Sequence, residues 1–421
     1  MRNRPIILFL LPFIFFSITV SGQKMINSPF SRFNLGSLEP AGLFRSSGMG
    51  GTGIALRDNS SIYYLNPASY SSFDTTSFIF DFGIDYGINI LTAGTDRHHS
   101  EDPNFDHMLM GFPIARGFGV ATGIIPFSNG YYDIYETINE SAEDQYTAYH
   151  SGEGGVSGFF LGTGISFLKN LSAGINMTLL FGNLERKNEF VFNDFFNYIH
   201  NTNFEKLRIN GINLDFGLQY TINIKDDLFL TAGASMSSGK HYKSRWETLS
   251  IRYNAYSQND TISYNIDNST KAFLPGTTRY GLSFGKKDKF SIGVDLVSTK
   301  WSKAKIPGAE GYLADTRALS MGAEYIPEKL SNYNLARRME YRIGMHVEDN
   351  YLILDGTQIK EYGASIGLGL PLPRSLSKAN FFVDYTRKYG AGSDQIHNES
   401  IISLGASLNF YDWWFIKRRY N

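Results

Sequence analysis

From residue 75 onward the chain is built from short segments in which apolar and small or polar residues alternate. In Leu171 to Gly182, Leu171, Ala173, Ile175, Met177, Leu179 and Phe181 share one face, with Ser172, Gly174, Asn176, Thr178 and Gly182 on the other. The last segment repeats the pattern, with Ile402, Leu404, Ala406, Leu408 and Phe410 opposite Ser403, Gly405, Ser407 and Asn409. Side chains alternate across a strand, so each segment has one apolar face and one polar face. Fourteen segments are read, at 75–90, 105–114, 116–128, 154–168, 169–185, 207–223, 227–242, 275–286, 288–301, 315–327, 338–349, 359–371, 378–390 and 398–411. Too little other apolar material exists to cover so many apolar faces, so they are assigned to lipid and the polar faces to a lumen. The expected fold class is therefore all-β, a transmembrane antiparallel barrel of about 14 strands.

The connections support this assignment. Short turns fall near Ala115, Lys169, Asp226, Lys287, Leu330 and Ser375, and long polar loops at 91–104, 129–153, 186–206, 243–274, 302–314, 350–358 and 391–397. Short periplasmic turns alternating with long outer loops are the habit of bacterial outer-membrane barrels. Asp81, Asp85, Asp215, Asp295, Glu324, Glu340, Asp384, Arg279 and Arg342 fall on the polar face and are expected inside. Gly83, Gly119, Gly174, Gly217, Gly293, Gly363 and Gly367 fall there too and leave room for another segment.

The N-terminus has the layout of a cleavable secretory signal: Arg2 and Arg4, an apolar run from Ile6 to Val20, then Val20-Ser21-Gly22. The expected organisation is a signal peptide at 1–22, an N-terminal hatch at 23–74, a barrel at 75–411 and an aromatic, basic tail at 412–421. Trp413 and Trp414 with Lys417, Arg418 and Arg419 suit an interfacial anchor or a docking element. The expected location is the bacterial outer membrane, with the signal removed.

Composition adjusts this picture little. With 39 basic and 40 acidic residues there is no basic footprint for nucleic acid, and no nucleic-acid partner is expected. Aromatic residues make up 15% of the chain, as aromatic girdles require. A mean hydropathy of -0.21 is uninformative, because barrel strands are half polar. There is no cysteine, so no disulfide scaffold is available.

Catalytic and metal chemistry find little support. Seven histidines (His98, His99, His107, His150, His200, His241 and His397) are read into loops or loop edges, and only His346, near Glu348, is expected to face inward. No convergent Ser/His/acid set is present, so no catalytic residue is assigned. His98 and His99 with Asp96, Glu101 and Asp102 form a polar loop cluster that reads as solvated rather than metal-binding, and no cofactor is assigned. Tyr131, Tyr132 and Tyr135 are expected in an upper aromatic girdle.

Residues 23–74 do not alternate. They contain Gly48-Met49-Gly50-Gly51-Thr52-Gly53, then Asp58-Asn59-Ser60, then Tyr63-Tyr64-Leu65-Asn66-Pro67-Ala68. This order resembles the hatch of the FadL/TodX family of outer-membrane transporters for hydrophobic compounds. Gly117-Phe118-Gly119-Val120 leading to Ile125-Pro126-Phe127 is similar to that family's third strand. The motifs span about fifty residues. The resemblance implies a hatch motif of Gly48, Gly50, Gly51, Gly53, Asp58, Asn66, Pro67 and Ala68. It implies a wall kink in the third strand, for which Gly119, Gly123 and Pro126 are the candidates, Pro126 equally well being a strand terminator. It also places the N-terminal residues near a ligand: Phe30, Phe33, Leu35 and Phe44 as an apolar lining, with Arg32 on a carboxylate head group, or else the phenylalanines as packing of hatch against wall.

Two functions follow as expectations. One is passive uptake of hydrophobic, fatty-acid-like small molecules with lateral exit into outer-membrane lipid. The other is a non-transporting barrel acting as a partner subunit or shuttle in an outer-membrane protein secretion or assembly complex; such barrels also resemble the shuttle of the type IX secretion system. A continuous apolar tunnel to a wall gap would favour the first, and a packed lumen the second. An enzyme in the wall is not expected.

Overall fold

The computed structural model describes residues 28–413 apart from 40–41, 94–95, 140–144, 195–197, 226, 257–258, 309–312, 332–333, 355, 374 and 391–397. The proposed signal peptide and most of the proposed tail thus lie outside the described residues.

Fourteen strands form the wall: β1 Ser77–Ala93, β2 Asp96–Ala115, β3 Phe118–Asn129, β4 Gln145–Ser166, β5 Leu171–Phe192, β6 His200–Asn223, β7 Leu228–Ser237, β8 Thr277–Lys286, β9 Phe290–Thr299, β10 Thr316–Tyr325, β11 Glu340–Leu354, β12 Thr357–Pro371, β13 Lys378–Tyr389 and β14 Asn398–Trp413. Each pairs antiparallel with its sequence neighbours. β14 closes the ring on β1, from Asn398 opposite Thr92 to Trp413 opposite Ser77. No helix among the described residues is long and apolar enough to cross a membrane, so the strands are the spanning elements.

Burial follows the alternation. Met177, Leu179 and Phe181 of β5 are exposed on the outward face, while Ser172, Asn176 and Thr178 are buried on the inward face. Asp81, Asp295, Glu324, Glu340 and Arg342 are buried inside. A charge on the lipid side would cost roughly 2–4 kcal/mol near the midplane.

Several expectations need correction. Most of the long loops are extended structure: β1 and β2 run on to Ala93 and from Asp96, and β4, β5 and β6 occupy 145–153, 186–192 and 200–206. Further strands stand at Tyr132–Asn139, Lys240–Tyr253, Asn259–Asp267 and Lys271–Leu274. Alternation in hydropathy fades where the wall leaves the bilayer, because both faces then become polar, although backbone pairing continues. His107 is inside, not at a loop edge: it pairs with Gly83 in the unbroken register that also turns Leu109 inward, and it is 1% exposed; the bulge, with Asp106 as the extra residue of β2, begins just beyond it. His150 and His200, expected in loops, are buried on strands above the bilayer. His98, His99 and Glu101 lie on β2 rather than in a loop. Tyr132 is buried while Tyr135 is exposed, so these neighbours do not act as one girdle. Pro126 does not end its strand; it sits at a bulge between Pro126 and Ser128, where a missing N–H is tolerated. The final strand continues past Phe410 to Trp413.

Candidate functional site

Residues 28–76 pack against the inward faces of the strands. Two features of their sequence shape the path. A short helix, Phe44–Ser47, runs into Gly48 and then Gly50 and Gly51, whose φ of 67° and 89° a side chain would oppose. A 3-10 turn at Pro67–Ser72 is capped by Asn66, whose Oδ1 accepts from the Ala68 N–H at 3.2 Å; Pro67 fixes the first φ.

The wall receives this path in detail. Asp295 of β9 accepts from the N–H groups of Gly53 and Ile54 at 2.6 and 2.9 Å. Ser365 accepts from the Gly50 N–H at 2.9 Å, and Ser283 donates to the Ala55 carbonyl at 2.9 Å. Gln219 donates to the carbonyls of Ile54 and Leu56 at 3.0 and 3.2 Å. Asn176 donates to the Tyr64 carbonyl at 2.8 Å and accepts from the Tyr70 hydroxyl at 3.1 Å. Inward glycines allow the approach: a Cβ at Gly174 would overlap Pro67, at Gly119 the Tyr70 carbonyl, and at Gly344 the Gly50 nitrogen. Gly363 differs, since it lies against His346 of the wall.

Like Arg45 and Arg57 of the same segment, Asn66 makes four side-chain hydrogen bonds among the described residues. Fully buried, its Nδ2 donates to Ile54 O at 2.9 Å and Leu218 O at 3.1 Å, linking its own segment to the wall. Asn66→Ala would remove its bonds to Leu218 O and to the Ala68 N–H and leave Ile54 O with Gln219 alone, a loss of about 0.5–1.5 kcal/mol per hydrogen bond. We expect the alanine chain to be nicked by trypsin within residues 28–76 under conditions where the unaltered chain resists; equal resistance would show these bonds to be dispensable.

Charges meet at the inner ends of β10 and β11. Arg342 donates from Nε to Glu324 at 2.7 Å and also binds Glu340, which pairs with Lys378 at 2.6 Å. Arg45 of the N-terminal segment reaches the same Glu324 at 2.7 and 3.0 Å and binds Asp58. Burial alone would raise the Asp58 carboxyl, but Arg45 and Lys378 hold it well below its usual range. Arg57 is held by Ser172 and Ser71 at 2.9 and 2.8 Å.

The wall is incomplete on one side. β2 pairs with β3 only from Met108 opposite Ile124 to Ala115 opposite Phe118; above that level β2 pairs with β1 alone among the described residues. Residues of the N-terminal segment take the vacant edge. Ser37 and Leu38 pair with Asn129 and Ser128 of β3, and the Glu39 N–H donates to the Phe127 carbonyl at 3.1 Å. A small polar recess beside this gap is lined by Gly42, Leu43, Tyr64, Asp106, His107, Ile125 and Pro126. Burial and the neighbouring Asp106 and Asp102 raise the Glu39 carboxyl to about 8, against the opposing pull of Lys388.

Because the folded value lies above the unfolded one, protonated Glu39 favours the seated segment, and that contribution is lost as pH rises from about 4.5 to 8. Proteolysis between Ser37 and Leu43 should therefore accelerate on going from pH 6 to pH 9. Glu39→Gln should flatten the profile; an unchanged profile would remove Glu39 as its source.

The residues singled out from sequence are thus distributed. Phe30 and Leu35 are buried in an upper core with Val156, Leu180, Leu184 and Tyr351, with Phe33 packed at its edge. Phe44 lies elsewhere, at 5.4 Å from the His107 ring and 4.7 Å from Phe382. Arg32 is half-buried at the end of the Pro29–Arg32 turn. Gly48 and Gly50 touch β12 and β11 respectively, Gly51 lies in the turn beside them, Gly53 meets Asp295, and Asp58 accepts from the Ser60 N–H and binds Arg45. Gly119 and Gly123 approach Tyr70 and the β2 backbone without interrupting β3. Sequence reading did not find the Asp81–His107–Asp106 chain, in which His107 Nε2 lies 3.1 Å from Asp81; only the register of β1 against β2 reveals it. Among the described residues no group of three or more His, Asp or Glu is arranged to hold a metal ion.

A family model described as BamG matches residues 1–421. The chain belongs to the BamG family. Its fold is also that of known channels. A P. putida toluene transporter, TodX, superposes with a TM-score of 0.60 at 13% identity, covering 90% of this chain and 100% of that one. The CymD monoaromatic hydrocarbon channel gives 0.58 at 15% identity, covering 90% and 98%. The Ralstonia pickettii toluene transporter TbuX gives 0.57 at 13% identity, covering 90% and 99%. At these identities the likeness is one of fold. No curated protein matches the chain by sequence. The family shown is BamG, and the FadL/TodX resemblance is supported at the level of the barrel.

Proposed function

We propose that this outer-membrane barrel is closed by its own N-terminal segment, residues 28–76 acting as a fixed hatch, and serves as a partner subunit in an outer-membrane protein secretion or assembly complex. The observation that carries this reading is the filling of the lumen. Inward glycines lie directly against the backbone of the segment, and the space above is taken by an apolar core that includes Phe30, Leu35, Leu207, Tyr242 and Tyr351. The phenylalanines offered as ligand contacts serve this packing. An apolar groove lined by Leu218, Tyr220, Tyr280, Leu282 and Leu296 lies among exposed outward side chains, where lipid meets it.

Above the bilayer the wall offers a surface for a partner. Tyr132–Asn139, the outer parts of β4, β5 and β6, Lys240–Tyr253 and Asn259–Asp267 form one sheet, and Asn259–Asp267 pairs on one side only among the described residues. Its outward face exposes Phe204, Tyr264 and Ile266. Exposed edges and apolar patches of this kind invite a second chain.

Uptake of hydrophobic compounds is the second reading. One observation favours it: among the described residues, Ser37 to Glu39 take the vacant edge of β3 beside the gap between β2 and β3, a segment whose displacement would open the wall sideways. Affinity purification from native membranes, followed by mass spectrometry of both proteins and small molecules, separates the two. A stoichiometric protein partner lost when Asn259–Asp267 is replaced by a short turn supports the subunit reading. A defined apolar ligand, with no protein in stoichiometric amount, would overturn it in favour of uptake.

A further inference from the structure

Outward side chains just above the lipid-facing band carry a basic cluster at the foot of the outer sheet, below the edge and the apolar side chains offered to a partner. Arg208 of β6 lies directly opposite Arg245, and Lys243 lies directly opposite Lys271. Arg208, Lys243 and Lys271 are exposed and Arg245 is half-exposed, while the residues between them, Leu207, Ile209, Tyr242, Ser244 and Ala272, are buried on the other face. Like charges facing each other across strands repel, so neither pair is self-stabilising. The carboxylates at hand are already engaged: Glu247 with Arg245 at 2.6 Å, and Glu185 with Lys206. Among the described residues Arg208, Lys243 and Lys271 make no ion pair. The chain as a whole has a net charge of -1, so this concentration is local.

The height of the cluster is fixed by register. Leu179 and Ile212 are paired, exposed and apolar; one step of two residues outward come Phe181 and Asn210, level with Lys243 and Lys271. Another such step, about 7 Å, reaches Arg208 and Arg245. His241 and Phe273 pack with tilted rings, centroids 4.9 Å apart, beside the lower tier, as aromatic groups do at a membrane boundary.

We propose that Arg208, Arg245, Lys243 and Lys271 bind the phosphorylated headgroup of an outer-leaflet lipid whose acyl chains lie on Leu179, Phe181 and Ile212. Guanidinium forks suit phosphate oxygens in bidentate fashion, and the two lysines add point charge one step nearer the acyl chains. A soluble anion would use only the upper tier; continuity with the apolar wall selects a lipid.

The test uses the purified full chain in non-ionic detergent and native mass spectrometry, with bis-phosphorylated lipid A and its fully dephosphorylated form as probes. Retention of the phosphorylated form should fall at least about tenfold in the Arg208→Gln, Lys243→Gln, Arg245→Gln, Lys271→Gln variant. It should remain in a Lys286→Gln, Lys289→Gln control at the opposite end of the barrel, and both variants should keep the heat-dependent gel shift of a folded barrel. Equal retention by the quadruple variant, equal binding of the dephosphorylated form, or equal loss in the control would overturn the proposal. Displacement by equimolar inorganic phosphate would also overturn it, reducing the site to one for free anions.

Discussion

Replacing Arg342 by methionine is expected to destabilise the barrel by about 3–5 kcal/mol, the range for removing one partner of a buried ion pair. The side chain is fully buried and bridges Glu324 and Glu340 while Nη1 donates to Asn380 at 2.9 Å. Three cations, Arg45, Arg342 and Lys378, meet three carboxylates, Asp58, Glu324 and Glu340. Removing one cation leaves a buried negative charge that water reaches poorly. Adding Glu340→Gln to the methionine variant removes that excess charge and should restore much of the loss. Urea unfolding in detergent micelles, followed by tryptophan fluorescence, reads both variants. A loss below about 1 kcal/mol would mean that water enters the network and screens it. The exposed Arg252–Asp260 pair supplies the contrast: its loss should be worth no more than about 1 kcal/mol.

Much of this architecture was legible in the residues because two physical constraints act on every spanning strand. Lipid selects apolar side chains at alternate positions, and the lumen collects the charges; Asp295, Glu324 and Arg342 are found inside for that reason. The same logic failed above the bilayer, where lipid no longer selects, and so Tyr132–Asn139 and Asn259–Asp267 read as loops although they pair as strands. The inward glycines were visible as a row of small residues with room for residues 23–74, but not which residue of that segment meets each of them. Gly174 against Pro67 and Gly367 against Gly48 are contacts between positions far apart in sequence, and no local pattern encodes them. His107 escaped for a related cause. It keeps the phase of Leu109 and pairs with Gly83, but its partner Asp81 stands on another strand, and the bulge at Asp106 just beyond it leaves no mark in hydropathy.

Valine at Gly344 together with valine at Gly174 is expected to expel residues 28–76 and convert a closed barrel into a conducting one. The Cβ at Gly344 would overlap Gly50 and Met49, and the Cβ at Gly174 would overlap Pro67 and Ala68. One side or the other must move. Both glycines lie on strands paired along both edges, β11 with β10 and β12, β5 with β4 and β6, so a shift of the wall would break ladders on both flanks. The segment is held by side-chain hydrogen bonds, short turns and one two-residue strand, and it yields first. Overpacking costs about 1–3 kcal/mol at a single well-packed site, and two sites well apart in the lumen add. Once displaced, the segment should offer Arg45 and Arg57 to trypsin, and single-channel recording in planar bilayers should show steps absent from the unaltered chain. A valine chain that is protease-resistant, non-conducting and as stable as the original would mean the segment is not seated on Gly344 and Gly174. Conductance with the protein partner still bound would separate the two roles of the molecule, because docking would then depend on the outer sheet and not on the closed lumen.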